Sequence, residues 1–395
     1  MTQHDAAVLG LIDEALAAMG SRDDPRVVRL LLTRRAQTQL VGDLDIDAAD
    51  AAVAMARRLG EPAALRLALS GRATALVLWP QLDPLFDACD EALKASAGFQ
   101  PTHEHARAMH ALALACLRAG DRAGFEAASN EARAEFEQCH EEIAVWLMRL
   151  LEVLVAIADG RFDDAAQLGR RYADPLPNYP TAALISTAQL GIAELERGQH
   201  AEVIPVAEHV LAEIPERGYW AWLATAYHDV GRTEEAGRIF DRYAADNWAA
   251  VLSAFSRAVA LRHLAELCAR FADRDRAASF RPLVEPWTGQ LWIAGQGVSL
   301  EGAADRALGQ LDTVLGHFEM AQREFEAALG LERRFGAAAL VARTLYWYAR
   351  MLRARNAGQD RVKAMRLLDQ ALDTTARLDM AMLHRQCAEL RDLAA

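Results

Sequence analysis

This sequence has no sustained period-two alternation and no Asn-Gly turn, so no sheet is expected of it. It has no apolar run near the roughly 18–20 residues that span a bilayer, and no membrane partner is expected. Its first residues lack a basic stretch and carry Asp5, Asp13 and Glu14. A secretory leader is therefore not expected, and the expected location is cytoplasmic. Basic residues are outnumbered, 43 against 55, for a net charge of -12. That balance argues against a nucleic-acid partner, which needs a net basic face. None of the five cysteines (Cys89, Cys116, Cys139, Cys268, Cys387) stands in a C-x-x-C pair. Each lies in an Ala/Leu-rich helical context, which reads as a free, buried thiol. Proline is scarce, and glycine punctuates the chain without clustering.

What the sequence does have is a helical repeat. In WAWLATAYHDVGRTEEAGRIFDRYAADNW, residues 220–248, Trp220, Leu223, Ala224 and Tyr227 fall at i, i+3, i+4 and i+7 and form one stripe of a helix. Gly231 ends that helix, and Thr233 with Glu234 and Glu235 suits the start of the next. Ala236 and Phe240 line the inner face of this second helix, and small Ala224 and Ala236 permit close approach. The pattern W-x2-L-A-x2-Y-x3-G-x4-A-x3-F resembles the tetratricopeptide (TPR) repeat. A glycine-polar turn with alanine five residues on recurs at Gly160–Ala165, Gly231–Ala236 and Gly316–Ala321. Ala272–Ala277 repeats it with alanine in the glycine slot. Gly120–Phe125 and Gly198–Val203 keep the spacing with a larger residue, and Gly42 and Gly358 are looser versions. With the Trp79-Pro80 turn these marks recur about every 40 residues, one helical hairpin per period.

The expected fold is therefore all-α: an α-solenoid of TPR-like hairpins in a right-handed superhelix, running as one array over 1–395. Residues 1–20 hold a capping helix, 21–372 about nine hairpins, and 373–395 a closing helix. Helices are expected over 5–19, 86–95, 105–118, 122–139, 142–158 and 380–393. The proline-rich stretch 174–180 reads as a loop. The glycine-rich segment 288–309 reads as a long, flexible connection, the kind of place where binding concentrates.

A second resemblance is carried by DRALGQLDTVLGHFEMAQREFEAALGLERRFGAAALVARTLYWYARML, residues 305–352, and by 57–80 and 158–171. These stretches resemble the TPR-like C-terminal region of large bacterial signalling ATPases, including LuxR-type regulators and ATPases fused to adenylate-cyclase domains. The resemblance implies an effector- or protein-binding sensor arm. No G-x4-G-K-[ST] loop occurs, so ATP hydrolysis is not implied. The expectation is a sensor module without its ATPase or DNA-binding parts.

Candidate chemistry is sparse. His103, Glu104, His105 and His110 are the best metal candidates, but they lack H-E-x-x-H spacing. They follow Pro101, where Thr102 and Glu104 make sense as cap and first-turn acid. Gly295, Gly297 and Gly302 evoke a nucleotide loop but follow no expected strand. Asp163-Asp164 and Glu234-Glu235 stand where helix N-termini favour acids. No catalytic residue, cofactor or metal is expected. The helical phase of the Trp220 unit places Thr225 and His228 on a concave groove. It also places there Arg262 and Glu266, Arg306, Gln310 and Thr313, and Arg343, Tyr346, Arg350 and Arg353. That is a polar, net basic surface suited to a carboxylate, a phosphate or an acidic peptide. The expected function is a non-enzymatic protein-interaction or effector-sensing module in bacterial signalling or transcriptional regulation. It would bind a protein segment or a small anionic effector, and self-association is possible through an uncapped end. The alternative is a helical-repeat enzyme of a biosynthetic pathway with a pocket near 287–302.

Overall fold

In the computed structural model of the chain, residues 6–20, 22–39, 46–172, 182–213, 218–252 and 256–393 are described. Asp5, the Gly42 turn and the loop expected at 174–180 lie outside them. The described residues form twenty-one α-helices and one two-stranded sheet, and are all-α apart from that one hairpin. Among them no helix is long and apolar enough to cross a membrane. The chain divides into two compact units: Met1–Arg149 with Pro175–Ala183, and Leu150–Asp174 with Leu184–Ala395.

The first unit is built from α1 (Ala6–Met19), α2 (Pro25–Gln39), α3 (Asp47–Leu59), α4 (Pro62–Leu76), α5 (Asp83–Ser96), α6 (His103–Arg118), α7 (Arg122–Gln138) and the start of α8 (Glu142–Asp159). From α1 to α7 each helix packs on the next, and α4 also packs on α2 and on α6. The boundaries follow local chemistry. Gly60 ends α3 in the left-handed region, at φ 69°, and Pro62 opens α4 where a missing N–H costs nothing. The expected cap at Thr102 is there: its side chain accepts from the His105 amide at 3.2 Å. Fully buried Arg118 donates to the carbonyls of Val77, Trp79 and Pro80, at 2.8, 2.7 and 3.1 Å, and so fixes the Trp79-Pro80 turn.

The second unit continues with the rest of α8, then α9 (Phe162–Arg171), α10 (Ala182–Glu196), α11 (His200–Glu213), α12 (Gly218–Asp229), α13 (Thr233–Ala245), the short α14 (Ala249–Leu252), α15 (Arg257–Phe271) and α16 (Arg274–Val284). After the hairpin come α17 (Ala304–Leu315), α18 (Phe318–Phe335), α19 (Ala338–Arg355), α20 (Asp360–Arg377) and α21 (Ala381–Asp392). The first helices α12, α15, α17 and α19 pack on one another in succession, and each also packs on the helix that follows its turn. Leu223, Ala224, Tyr227, Ala236 and Phe240 are buried in one cluster, and Trp220 packs against it half-exposed. The turn-plus-alanine signal has a clear basis. Ala165, Ala236, Ala277 and Ala321 have no exposed surface, and the turn residues Gly160, Gly231, Ala272 and Gly316 all have positive φ.

The glycine-rich segment departs from expectation. It is not a flexible connection but an antiparallel hairpin of β1 (Leu291–Ala294) and β2 (Ser299–Ala303), with a bulge between Trp292 and Ile293. Every residue of β1 is buried, and of β2 only Leu300 is partly exposed. Strands this short with both faces covered leave no alternation to read. At the turn Gly297 has φ 106°, and a Cβ there would lie 2.2 Å from the Leu151 side chain. Gln189 Nε2 donates to the carbonyls of Leu150 and Val298, both at 3.0 Å, which ties the turn to α8.

Candidate functional site

The second unit holds a partly open cavity of about 80 Å³. Its polar wall comes from Glu196 of α10, His200 of α11, Thr225 and Asp229 of α12, and Arg262, His263 and Glu266 of α15. Ser299 and Glu301 of β2, Arg343 of α19 and Gln386 of α21 complete it. The spacing on α15 explains the arrangement: Arg262, Glu266 and Arg270 are four residues apart and share one face, a charge ladder of alternating sign.

The hydrogen bonds fix the state of the buried His263. Thr225 Oγ1 donates its one proton to the Trp222 carbonyl at 2.8 Å, so it accepts from His263 Nδ1 at 2.6 Å. That leaves Nε2 as an acceptor, and Arg262 Nη1 donates to it at 2.8 Å. Burial, reinforced by the Arg262 charge, holds this ring well below the usual histidine range, and it is neutral. Arg262 Nη1 also reaches Glu301 Oε2 at 3.2 Å, and Ser299 Oγ bonds the other Glu301 oxygen.

Deeper in the wall, Arg270 Nε and Nη2 both donate to Glu266 Oε1, at 2.9 and 2.6 Å, and Nη2 lies 2.8 Å from Asp229. Burial raises the Glu266 carboxyl, but Arg270, Arg262 and Arg343 outweigh it and hold the group far below the usual carboxylate range. Asp229 is likewise lowered: burial opposes ionisation, while Arg270 and the His200 contact favour it. Gln386 Nε2 donates to Asp229 at 2.9 Å. Arg343 Nη2 lies 2.6 Å from both Glu196 oxygens. Two cavity-lining guanidiniums keep a buried donor with no acceptor among the described residues: Arg262 Nε and Arg343 Nε.

Of the groove positions expected from helical phase, Thr225, Arg262, Glu266 and Arg343 meet at this cavity. His228 sits behind it, 3.1 Å from Arg270. Tyr346 is buried, and Arg350 stacks over Trp347, 4.5 Å from the ring centre. Arg306 and Gln310 are not on a groove at all, since each is 2 % exposed. Thr313 spends its hydroxyl on its own helix, bonding the Gly309 carbonyl at 2.6 Å. Arg353 reaches the Leu393 carbonyl at 3.3 Å on the surface. At the cavity positive charge is not in surplus, because Arg262 and Arg343 are paired with Glu301 and Glu196, and Arg306 is paired with Glu332 away from it. Sequence reasoning missed His263, Asp229 and Arg270. Continuing the four-residue ladder from Arg262 and Glu266 would have found Arg270.

The histidine cluster does not converge. His103 faces Glu141 at 3.1 Å, and His110 is buried and pushed down to about 4 by burial and by Arg107. His105 lies near Glu131 and Glu135. Its Nδ1 meets Glu135 Oε2 at 3.0 Å and its Nε2 meets Gln100 Nε2. No family model matches the chain, and no curated protein searched is similar to it.

Proposed function

We propose that this chain is a non-enzymatic, TPR-like helical-repeat sensor module of bacterial signalling or transcriptional regulation. In this reading its second unit binds a small polar effector in the cavity between α12, α15, β2 and α19, and the bound state is read by a protein partner. One observation carries the reading. Arg262 and Arg343 line a polar cavity, and the buried Nε of each has no acceptor among the described residues. Each such orphan costs about 1–3 kcal/mol, which a ligand oxygen would recover. A cavity of about 80 Å³ has room for a small molecule.

The test is to purify the full chain from its native cytoplasm, denature it, and identify released small molecules by mass spectrometry. Arg343→Gln serves as control, with circular dichroism to confirm its helicity. A molecule released by the natural chain and absent from the variant supports the reading. A chain that carries no small molecule, yet captures the same protein partner with and without Arg343, overturns it.

A further inference from the structure

We infer that the cavity takes a zwitterion: one small molecule carrying a carboxylate and an ammonium, as a free amino acid does. This rests on the reading that the cavity binds a small polar ligand, and it follows from which groups of the wall are already spent.

On the donor side, Arg262 has given Nη1 to His263 and Glu301, and Arg343 has given Nη2 to Glu196. Their Nε groups are buried and have no acceptor among the described residues. They call for acceptor oxygens, and a guanidinium edge matches a carboxylate by charge and geometry. On the acceptor side, both bonds from Arg270 to Glu266 fall on Oε1, so Oε2 accepts none among the described residues. His200 turns Nε2 toward Asp229 at 3.7 Å, and its buried Nδ1 has no partner among the described residues.

Net charge separates the ligand classes. The carboxylates of Glu196, Asp229, Glu266 and Glu301 face the guanidiniums of Arg262, Arg343 and, behind them, Arg270. Among these carboxylates and guanidiniums one negative charge is left over. A lone anion meets that excess, and a phosphate dianion meets it twice over. A lone cation leaves both Nε donors unpaired. A carboxylate on the arginine side with an ammonium near Glu266 Oε2 adds no net charge to that excess and supplies both an acceptor and a donor. The remaining wall is apolar, with Ile192, Leu195, Trp222 and Leu340, and suits a short uncharged side chain.

The experiment is isothermal titration of the full chain with the twenty amino acids, succinate, putrescine and inorganic phosphate. The tightest amino acid is then compared with its des-amino acid, its decarboxylated amine and its N-acetyl derivative. The expected result is one binding zwitterion, with each analogue weaker by about 10- to 100-fold, the worth of a buried charged hydrogen bond. Glu266→Gln should erase the advantage over the des-amino acid and keep that over the amine, and Arg343→Gln should do the reverse. Should either variant fail to keep its helicity, the analogue series on the natural chain carries the test alone. Tighter, Arg343-dependent binding of phosphate or succinate overturns the zwitterion but leaves the effector-binding reading intact. Failure of every probe also overturns it, and the effector reading then stands or falls on the molecule carried from the cell.

Discussion

Arg306 Nη1 lies 2.9 Å from Glu332 Oε1, and neither side chain has meaningful contact with solvent. Thr344 Oγ1 and the Ala303 amide also donate to Glu332, and Arg306 Nη2 donates to the Glu301 carbonyl. Burial pushes Arg306 down to about 10 and Glu332 up, each against the attraction of the other. Desolvation therefore outweighs the pairing, yet breaking it strands a charge. Arg306→Met and Glu332→Leu should each cost about 3–5 kcal/mol, and the double variant less than either. Guanidinium unfolding checks this; a double variant as unstable as the sum of the singles would refute it.

Ala272 and Gly231 occupy the same slot in successive turns, at φ 50° and φ 82°. Alanine pays for a left-handed backbone roughly 1–2 kcal/mol, partly offset by the entropy glycine loses on folding. Ala272→Gly should gain up to about 1 kcal/mol, and Gly231→Ala should lose about 1 kcal/mol. A Cβ at Gly231 meets no atom within 4 Å, so the second change isolates the backbone effect. Paired melting curves decide, and opposite signs are required.

Gly309 lies inside α17, where glycine normally weakens a helix by about 1 kcal/mol relative to alanine. Here a Cβ would stand 2.9 Å from the Phe325 ring. Phe325 is fully buried and stacked on Tyr348 at 5.6 Å, so it has little room to retreat. Gly309→Ala should destabilise by about 1–3 kcal/mol despite its better helix propensity. A gain in denaturation midpoint would show that the contact between α17 and α18 yields easily.

Glu324 faces Asp312, whose two oxygens take Arg281 Nε at 2.9 and 3.0 Å. Burial and the Asp312 charge push the Glu324 carboxyl up to about 9. The folded state thus holds a proton that the unfolded chain releases near the usual glutamate pKa of about 4.3. The stability this lends is complete below that value and is lost as pH rises toward 9. Glu324→Gln, which cannot ionise, should match the natural chain at pH 4 and melt increasingly above it toward pH 9. Parallel melting curves across that range would sink the assignment.

Local features were the most legible in the sequence. The stripe from Trp220 to Tyr227 and the alanine five residues after each turn report contacts within one hairpin, where spacing alone decides which side chains meet. The left-handed alanine at 272 was legible for the same reason. The cavity was half legible. Helical phase put Arg262, Glu266 and Arg343 on an inward face, but it cannot say that Glu196 meets Arg343 or that Arg306 is sealed against Glu332. It also could not see β1 and β2, which are too short and too evenly buried to show a period.

The pairs that close the cavity have a kinetic consequence. Arg343 meets Glu196 across 147 residues of chain, and Gln386 meets Asp229 across 157. Such contacts return nothing until a large loop entropy has been met, while each hairpin is rewarded at once. In the second unit the helical pairs should assemble first and the charged wall should close last. By the same ordering it opens first in the native ensemble, at the low-stability end from which ligand-responsive elements are drawn.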